Sequence, residues 1–581
     1  MRLKNFILGY ILIFILLVTI SEVTLRFRRG NPPFESYPPG FDHQYVEIHK
    51  DFFKKQYLPD GTVVYKIQHS YLDSWHFPAH KDKDTKRIFI LGGSVARRFD
   101  EHLFKNFLEG LIPNMKFEII NCGVPSYDSY RTSIIHKEIL DYNPDLIILL
   151  SGNNEYYIPV RVNLWAYRTN RLLRRLWVYR IPQDKILRGN RMFSIRNRIS
   201  KESRLANYKN NLKVMTHRAK KRKIPMVVCT LPANFRDCPP TGIPLWHERE
   251  YFLAWHAFEN KELEEAIKRF RQFLITHPED SFGCYYLAQC YDALQDYSQA
   301  QQYYIKAMAL DANPGDRCPP QRNEAIRQVS LQEGIILTDL EKAFIEISPH
   351  GLAGKELFVD TCHWWKECDL LVCNKIIGSL IKYNKTHPKP IFTLLDRWRY
   401  DKFLIEQDFL KMKLANFKRK PLRLVSGAYQ TLLFLNLDYH EGSMYDRERF
   451  VSFLNTAYYF NPNLFDDIAL LKEQIFISTD IYRMFRSEKI LSNFDNPWSV
   501  FLCHAAEAFR RLGLYPKAIE YFNEAINLNP DIWLPYLGRG IAYYEIGQVE
   551  KARRDFEMAN KKSYHQISQA LVEFYRTSLG I

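Results

Sequence analysis

The chain has 581 residues, 46% of them hydrophobic and 25% charged, with a formal net charge of +16. The length is too great for one core and predicts roughly three to four domains of ordinary globular composition. A basic excess suits nucleic acid, an anionic membrane surface or an acidic polymer, but no zinc-finger, RRM-like or helix-turn-helix signature accompanies it, so nucleic acid is set aside as a partner.

The basic residues are dispersed, with local runs at Arg171–Arg180 and His217–Arg222, and read first as solvated faces and second as a membrane-proximal surface. The ten cysteines show no CxxC pairing, which argues against a metal or redox centre. Cys229 and Cys238 flank one loop and are candidates for a bridge in an oxidising compartment. No cofactor and no resident metal are expected.

In chain order, Arg2 and Lys4 precede the apolar stretch Phe6–Leu25, whose 20 residues make a helix of about 30 Å that just spans a bilayer. No small-x-small cleavage site follows, so residues 1–29 read as an uncleaved signal anchor. Charges on the two sides nearly balance, which leaves its orientation open. Residues 30–85 read as a linker. From Lys86 the pattern becomes α/β, with strands at Arg87–Leu91, Phe117–Asn121, Asp145–Leu150, Ile224–Thr230 and Ile335–Asp339. Helices are expected at Glu101–Leu111, Arg131–Tyr142 and Asn207–Lys223. Strands apolar on both faces and alternating with helices predict a parallel sheet covered on both sides.

Two segments repeat at a period of 34. Ala266 and Phe270 recur as Ala300 and Tyr304, and Ala518, Phe522 and Ala525 recur as Ala552, Phe556 and Ala559. This resembles the tetratricopeptide repeat, in which helix pairs bury their apolar faces only by stacking on neighbours. The resemblance implies a protein partner. The predicted divisions are an α/β domain in two parts (86–244 and 319–388) interrupted by repeats (245–318), a helical region (389–495) and C-terminal repeats (496–581). The helical region, with segments such as Leu432–Leu437 and Phe450–Tyr459, is read as degenerate repeats.

Four short blocks, each after a predicted strand, carry chemistry: Gly92-Gly93-Ser94, Asn121-Cys122-Gly123, Gly152-Asn153-Asn154-Glu155 and Asp360-Thr361-Cys362-His363. Singly each has an ordinary reading: Ser94 as a helix cap, Asn154 as a turn residue, Asp360 and His363 as a surface turn. Together and in order they resemble the SGNH (GDSL-type) hydrolases, with Gly93 where relatives carry an acid and Glu155 in an aspartate's place. The resemblance implies a flavodoxin-like parallel sheet and a serine esterase or acyl hydrolase. Ser94 would be the nucleophile, His363 the base and Asp360 its partner. The N–H groups of Ser94 and Gly123 and the amide of Asn154 would form the oxyanion hole.

Asn234 and Arg236 on the loop after the fourth strand are candidates for orienting an acyl or glycosyl group, against a rigid proline-bounded loop. Arg97 and Arg98 compete between anion binding and solvation, and Trp364 and Trp365 between a pocket wall and core packing. The expected substrate is an O-acylated glycan or lipid. The catalytic domain is expected at a membrane, on the extracytoplasmic (periplasmic) side. An O-acyltransferase using the same triad and a non-catalytic repeat scaffold in an envelope assembly remain the alternatives.

Overall fold

The computed structural model describes residues 16–28, 51–68, 76–112, 115–155, 172–182 except 174, 200–311 except 243 and 247, 317–387, 391, 447–478, 497–563, 572–573, 575–577 and 580. It divides into two compact units. The first comprises Met1–Cys229, Ala325–Leu337 and Lys382–Leu394, and the second Thr230–Glu324, Thr338–Ile381 and Leu395–Ile581.

The first unit opens with three short strands, β1 (Phe53–Tyr57), β2 (Val63–Ile67) and β3 (His76–Pro78), in an antiparallel sheet of order β1-β2-β3. Of the expected linker over 30–85, residues 51–68 and 76–84 therefore belong to the folded unit, and 30–50 and 69–75 lie outside the described residues. Phe52, Phe53, Ile67 and Phe77 are buried in the same apolar cluster as Phe89, Ile147 and Leu149. Phe77 meets Phe89 edge-on at 5.7 Å. The buried Arg87 donates to Pro78 O at 2.8 Å and to Glu118 Oε2 at 2.7 Å.

The main sheet contains β4 (Thr85–Gly92), β5 (Lys116–Asn121), β6 (Leu146–Leu150), β7 (Met226–Cys229) and β8 (Ile336–Thr338). Their order, β5-β4-β6-β7-β8, is the 2-1-3-4-5 arrangement of flavodoxin-like sheets. The β4–β5, β4–β6 and β6–β7 pairs are parallel. All five residues of β6 are buried, as a strand covered on both faces requires. Of the helices beside this sheet, Glu101–Leu111 begins where Asp100 accepts the Leu103 N–H, and Ser129–Ile139 where Asp128 accepts the Arg131 N–H. Such caps satisfy donors that the first helical turn leaves open.

The expected membrane anchor falls largely outside the described residues, since residues 1–15 are not among them. Residues 16–28 are helical, and among the described residues no helix is long and apolar enough to cross a membrane. Glu22 on this helix is buried, accepting from Arg26 Nε at 2.7 Å and from Val178 N at 3.1 Å.

The second unit is mostly helical. Helices Arg249–Glu259, Leu263–Thr276, Ser281–Ala293 and Tyr297–Leu310 build the inserted repeats. Pro497–Arg511, Tyr515–Leu528, Leu534–Glu545 and Val549–Lys562 build the C-terminal ones. The repeated positions Ala266, Phe270, Ala300, Tyr304, Ala518, Phe522, Ala552 and Phe556 are all buried. Left-handed turn residues recur at the same period, at Lys261 and Gln295 in one array and at Gly513 and Gly547 in the other.

The two arrays belong to one unit and are joined by buried charges. Arg510 reaches Glu259 at 3.0 Å and Glu507 at 2.8 Å, while Arg511 grips both oxygens of Glu448 at 2.7 and 2.8 Å. Tyr286 also donates to Glu448. Glu448 lies on the helix Arg447–Phe460, which contains the expected Phe450–Tyr459 helix, whereas Leu432–Leu437 lies outside the described residues.

In the first unit, His136 is fully buried with neither ring nitrogen hydrogen-bonded. Burial, reinforced by Arg218, pushes its pKa down to about 3. The unfolded chain therefore takes up a proton near pH 6.5 that the folded chain refuses, and stability falls as the pH drops below that point. In urea unfolding between about pH 6 and pH 4, His136→Leu is expected to remove about 1.4 kcal/mol per pH unit of this dependence. Identical pH slopes for the two proteins would contradict it.

Candidate active site

Each unit carries one part of the predicted constellation. In the first, β4 ends at Gly92 with φ of +147°, where a Cβ would lie 2.0 Å from Leu150 O on the neighbouring strand. Only glycine turns the chain there. A Cβ on Gly93 would lie 2.3 Å from Asn154 Nδ2 and 3.2 Å from Tyr127 O. The Asn154 amide thus occupies the space that a side chain on residue 93 would take. Ser94 is half-buried and starts the short helix Ser94–Arg98.

Asn154 is buried, and its Nδ2 donates to Tyr127 O at 3.1 Å. Glu155 beside it does structural work. Its two carboxylate oxygens accept from Ser129 N and Ser129 Oγ, each at 2.7 Å, at the start of the helix Ser129–Ile139.

Gly123 lies on the extension of β5, with the Val124 N–H donating to Gly92 O at 3.0 Å. A Cβ here would meet Arg97 N at 2.3 Å, so backbone crowding against the Ser94–Arg98 helix fixes the residue as glycine. Its N–H, which the resemblance assigns to an oxyanion hole, donates here to Asn121 Oδ1 at 2.9 Å. The Asn121 amide is oriented by its other end, whose Nδ2 donates to Ala96 O at 2.8 Å and to Glu101 Oε2 at 3.3 Å. Sequence reasoning counted Asn121 only as part of a block and missed this role.

In the second unit, residues 357–365 fold back on themselves. Val359 N donates to His363 O at 2.7 Å and Trp365 N to Leu357 O at 2.9 Å. The turn at the tip brings Asp360 and His363 together. Asp360 Oδ1 accepts the N–H groups of Cys362 at 3.0 Å and His363 at 2.8 Å, and Oδ2 sits 2.7 Å from His363 Nδ1. The carboxylate is held by the backbone on one oxygen and orients the imidazole with the other, which leaves Nε2 as the ring's remaining functional nitrogen. The His363 side chain is 17% exposed and that of Asp360 35%.

Asn234 is buried beside this turn, its N–H donating to Thr361 O at 2.9 Å and its Oδ1 accepting from Asp237 N at 2.9 Å. Arg236 makes a two-pronged pair with Asp292, at 2.7 and 2.8 Å. These contacts support the rigid-loop reading of residues 231–240. Arg317, fully buried and not anticipated, donates to the carbonyls of Asn234, Cys238 and Pro239 and to Asp311 Oδ2. No local pattern around residue 317 marks it; only the fold brings it under the loop. Trp364 and Trp365 are buried and donate to Asp369 Oδ1 and Lys355 O, so they pack the core.

The contact at Gly93 is testable. Gly93→Ala is expected to lower stability by about 1–3 kcal/mol through overpacking against the Asn154 amide. Asn154→Ala in the same chain should return most of that loss, measured as a double-mutant cycle in urea. Strictly additive losses would show that the two residues do not compete for space.

Tetratricopeptide-repeat family models match residues 284–317 and 504–563. A search of curated proteins gives no match. Among solved structures, the chain is similar to an acetyl xylan esterase at 12% identity, covering 50% of this chain and 98% of that one, with a TM-score of 0.26. It is similar to a GDSL-like lipase from Bacteroides thetaiotaomicron at 11% identity, covering 53% and 93%, with a TM-score of 0.26. A third is an acetyl-xylooligosaccharide esterase from Geobacillus, at 10% identity, covering 51% and 93%, with a TM-score of 0.26.

Proposed function

We propose that the chain is a serine esterase of the SGNH type acting on an O-acyl ester. The observation that supports it most is the preformed Asp360–His363 dyad, in which both carboxylate oxygens are committed to the turn and to Nδ1. Ser94, at the C-terminal end of β4, supplies the nucleophile. Its Oγ attacks the ester carbonyl while its proton passes to His363 Nε2. Asp360 stabilises the imidazolium, which then protonates the leaving alcohol. Water repeats the sequence to release the acid.

The growing negative charge on the carbonyl oxygen is met by the Ser94 N–H and by the Asn154 amide, whose second N–H is not used by Tyr127. The Gly123 N–H joins them when Asn121 Oδ1 lets it go. One such donor contributes about 3–4 kcal/mol to the transition state. An acylated glycan or lipid at a membrane surface suits an N-terminal anchor within residues 1–29 and an extracytoplasmic catalytic domain. The repeats take a protein partner, as stacked helix pairs commonly do through their extended surfaces.

In labelling with a fluorophosphonate probe, the full-length protein is expected to be modified covalently and Ser94→Ala to be silent. Asp360→Asn should slow turnover of p-nitrophenyl acetate by on the order of 10³–10⁴ with the dyad's geometry otherwise kept. A Ser94→Ala protein that still reacts would remove Ser94 from the chemistry. Deletion of residues 1–29 is expected to move the protein from the membrane fraction to the soluble one. If the shortened chain sediments with membranes as before, the anchor lies elsewhere.

A further inference from the structure

The turn that carries Asp360 and His363 holds a third donor atom. Cys362 Sγ lies 3.7 Å from His363 Nδ1, and Asp360 Oδ2 lies 2.7 Å from the same nitrogen. All three atoms fall within 4.8 Å of one another, and among the described residues this is the one cluster of three or more His, Cys, Asp or Glu side chains so arranged. A tetrahedral zinc ion sits about 2.3 Å from sulfur and about 2.0–2.1 Å from nitrogen or oxygen, which sets its ligand atoms roughly 3.3–3.6 Å apart. The sulfur and nitrogen already stand near that separation, the nitrogen and oxygen need to open by only ~0.6 Å, and the sulfur and oxygen, within 4.8 Å of each other, need to close by at most about 1.2 Å.

The surroundings suit an ion arriving from solvent. Cys362 is buried, while the Asp360 and His363 side chains are partly exposed, so the open side of the cluster is the carboxylate side. Asp360 Oδ1 stays on the Cys362 and His363 N–H groups, so the turn keeps its shape while Oδ2 changes partner. Water completes the fourth position.

We infer that this turn is an inhibitory site for a thiophilic divalent cation, with zinc as the type. The ion takes Nδ1, Oδ2 and the thiolate. The thiol proton goes to solvent and the imidazole proton moves from Nδ1 to Nε2, so the ring stays neutral and one proton is released per ion bound. With Nε2 protonated, His363 has no lone pair to accept the proton of Ser94, and the nucleophile is not activated. This last consequence rests on the esterase reading; the binding of the ion does not.

The test uses the full chain, Co²⁺ and Zn²⁺. Stoichiometric Co²⁺ is expected to give a thiolate-to-cobalt charge-transfer band that Zn²⁺ displaces. Cys362→Ser should abolish the band and weaken zinc binding at least about tenfold. Asp360→Asn, on a partly exposed side chain, serves as the second variant and should also weaken it about tenfold. One equivalent of zinc should block fluorophosphonate labelling and a chelator restore it. A wild-type protein without the band, zinc affinity indifferent to both substitutions, or labelling unaffected by bound zinc would overturn the proposal. Absence of labelling in the metal-free protein would instead strike the esterase reading, and the band would still decide the metal site.

Discussion

Close approach of two backbones governs the end of β4, where Ser94 lies. At the end of β4, the Leu150 carbonyl stands 2.0 Å from where a Gly92 Cβ would be, and the Asn154 amide fills the space above Gly93. Only glycine fits at 92, and a side chain at 93 must displace the Asn154 amide, so the chain leaves the sheet in one direction and delivers Ser94 to the first turn of a short helix. Gly123 is held to the same standard by the Arg97 backbone. The glycines therefore fix where Ser94 and Asn154 sit, and the buried core beneath them gives the turn no room to relax.

Much of this was legible in the residues. The strand and helix order from Lys86 to Leu150 followed from apolar runs and their periods, and the helix Glu101–Leu111 has the bounds its pattern predicts. The 34-residue spacing of small and aromatic residues located both repeat arrays. The block Asp360–His363 announced a carboxylate and an imidazole on one turn, and the structure puts them 2.7 Å apart.

What was not legible has physical reasons. The strands β1 and β2 carry lysines, and four of the five β1 residues are exposed, so no apolar alternation betrays them. The direction of the Asn121 amide depends on Ala96 and Glu101, which lie far from it in sequence. That direction decides where the Gly123 N–H is spent, which residue types alone do not reveal. Lys261 and Gln295 occupy left-handed turn positions that the C-terminal array gives to glycine. A search for glycine punctuation therefore finds two of four turns. The Arg510 and Arg511 network shows the same limit on a larger scale, because nothing in either array alone says that Glu259 and Glu448 await the same helix.

The order in which the main sheet is assembled matters for how the chain is made. β7 ends at Cys229 and β8 begins at Ile336, with the inserted helices between them. At roughly 5–20 residues per second, a ribosome needs about 5–20 s to supply the missing neighbour. Until then β7 presents an open row of N–H and C=O groups, a template for unwanted strand pairing. The nascent chain thus passes through an incomplete sheet on every round of synthesis, and the shortness of β7, four residues, limits how much of that edge is open to wrong pairing.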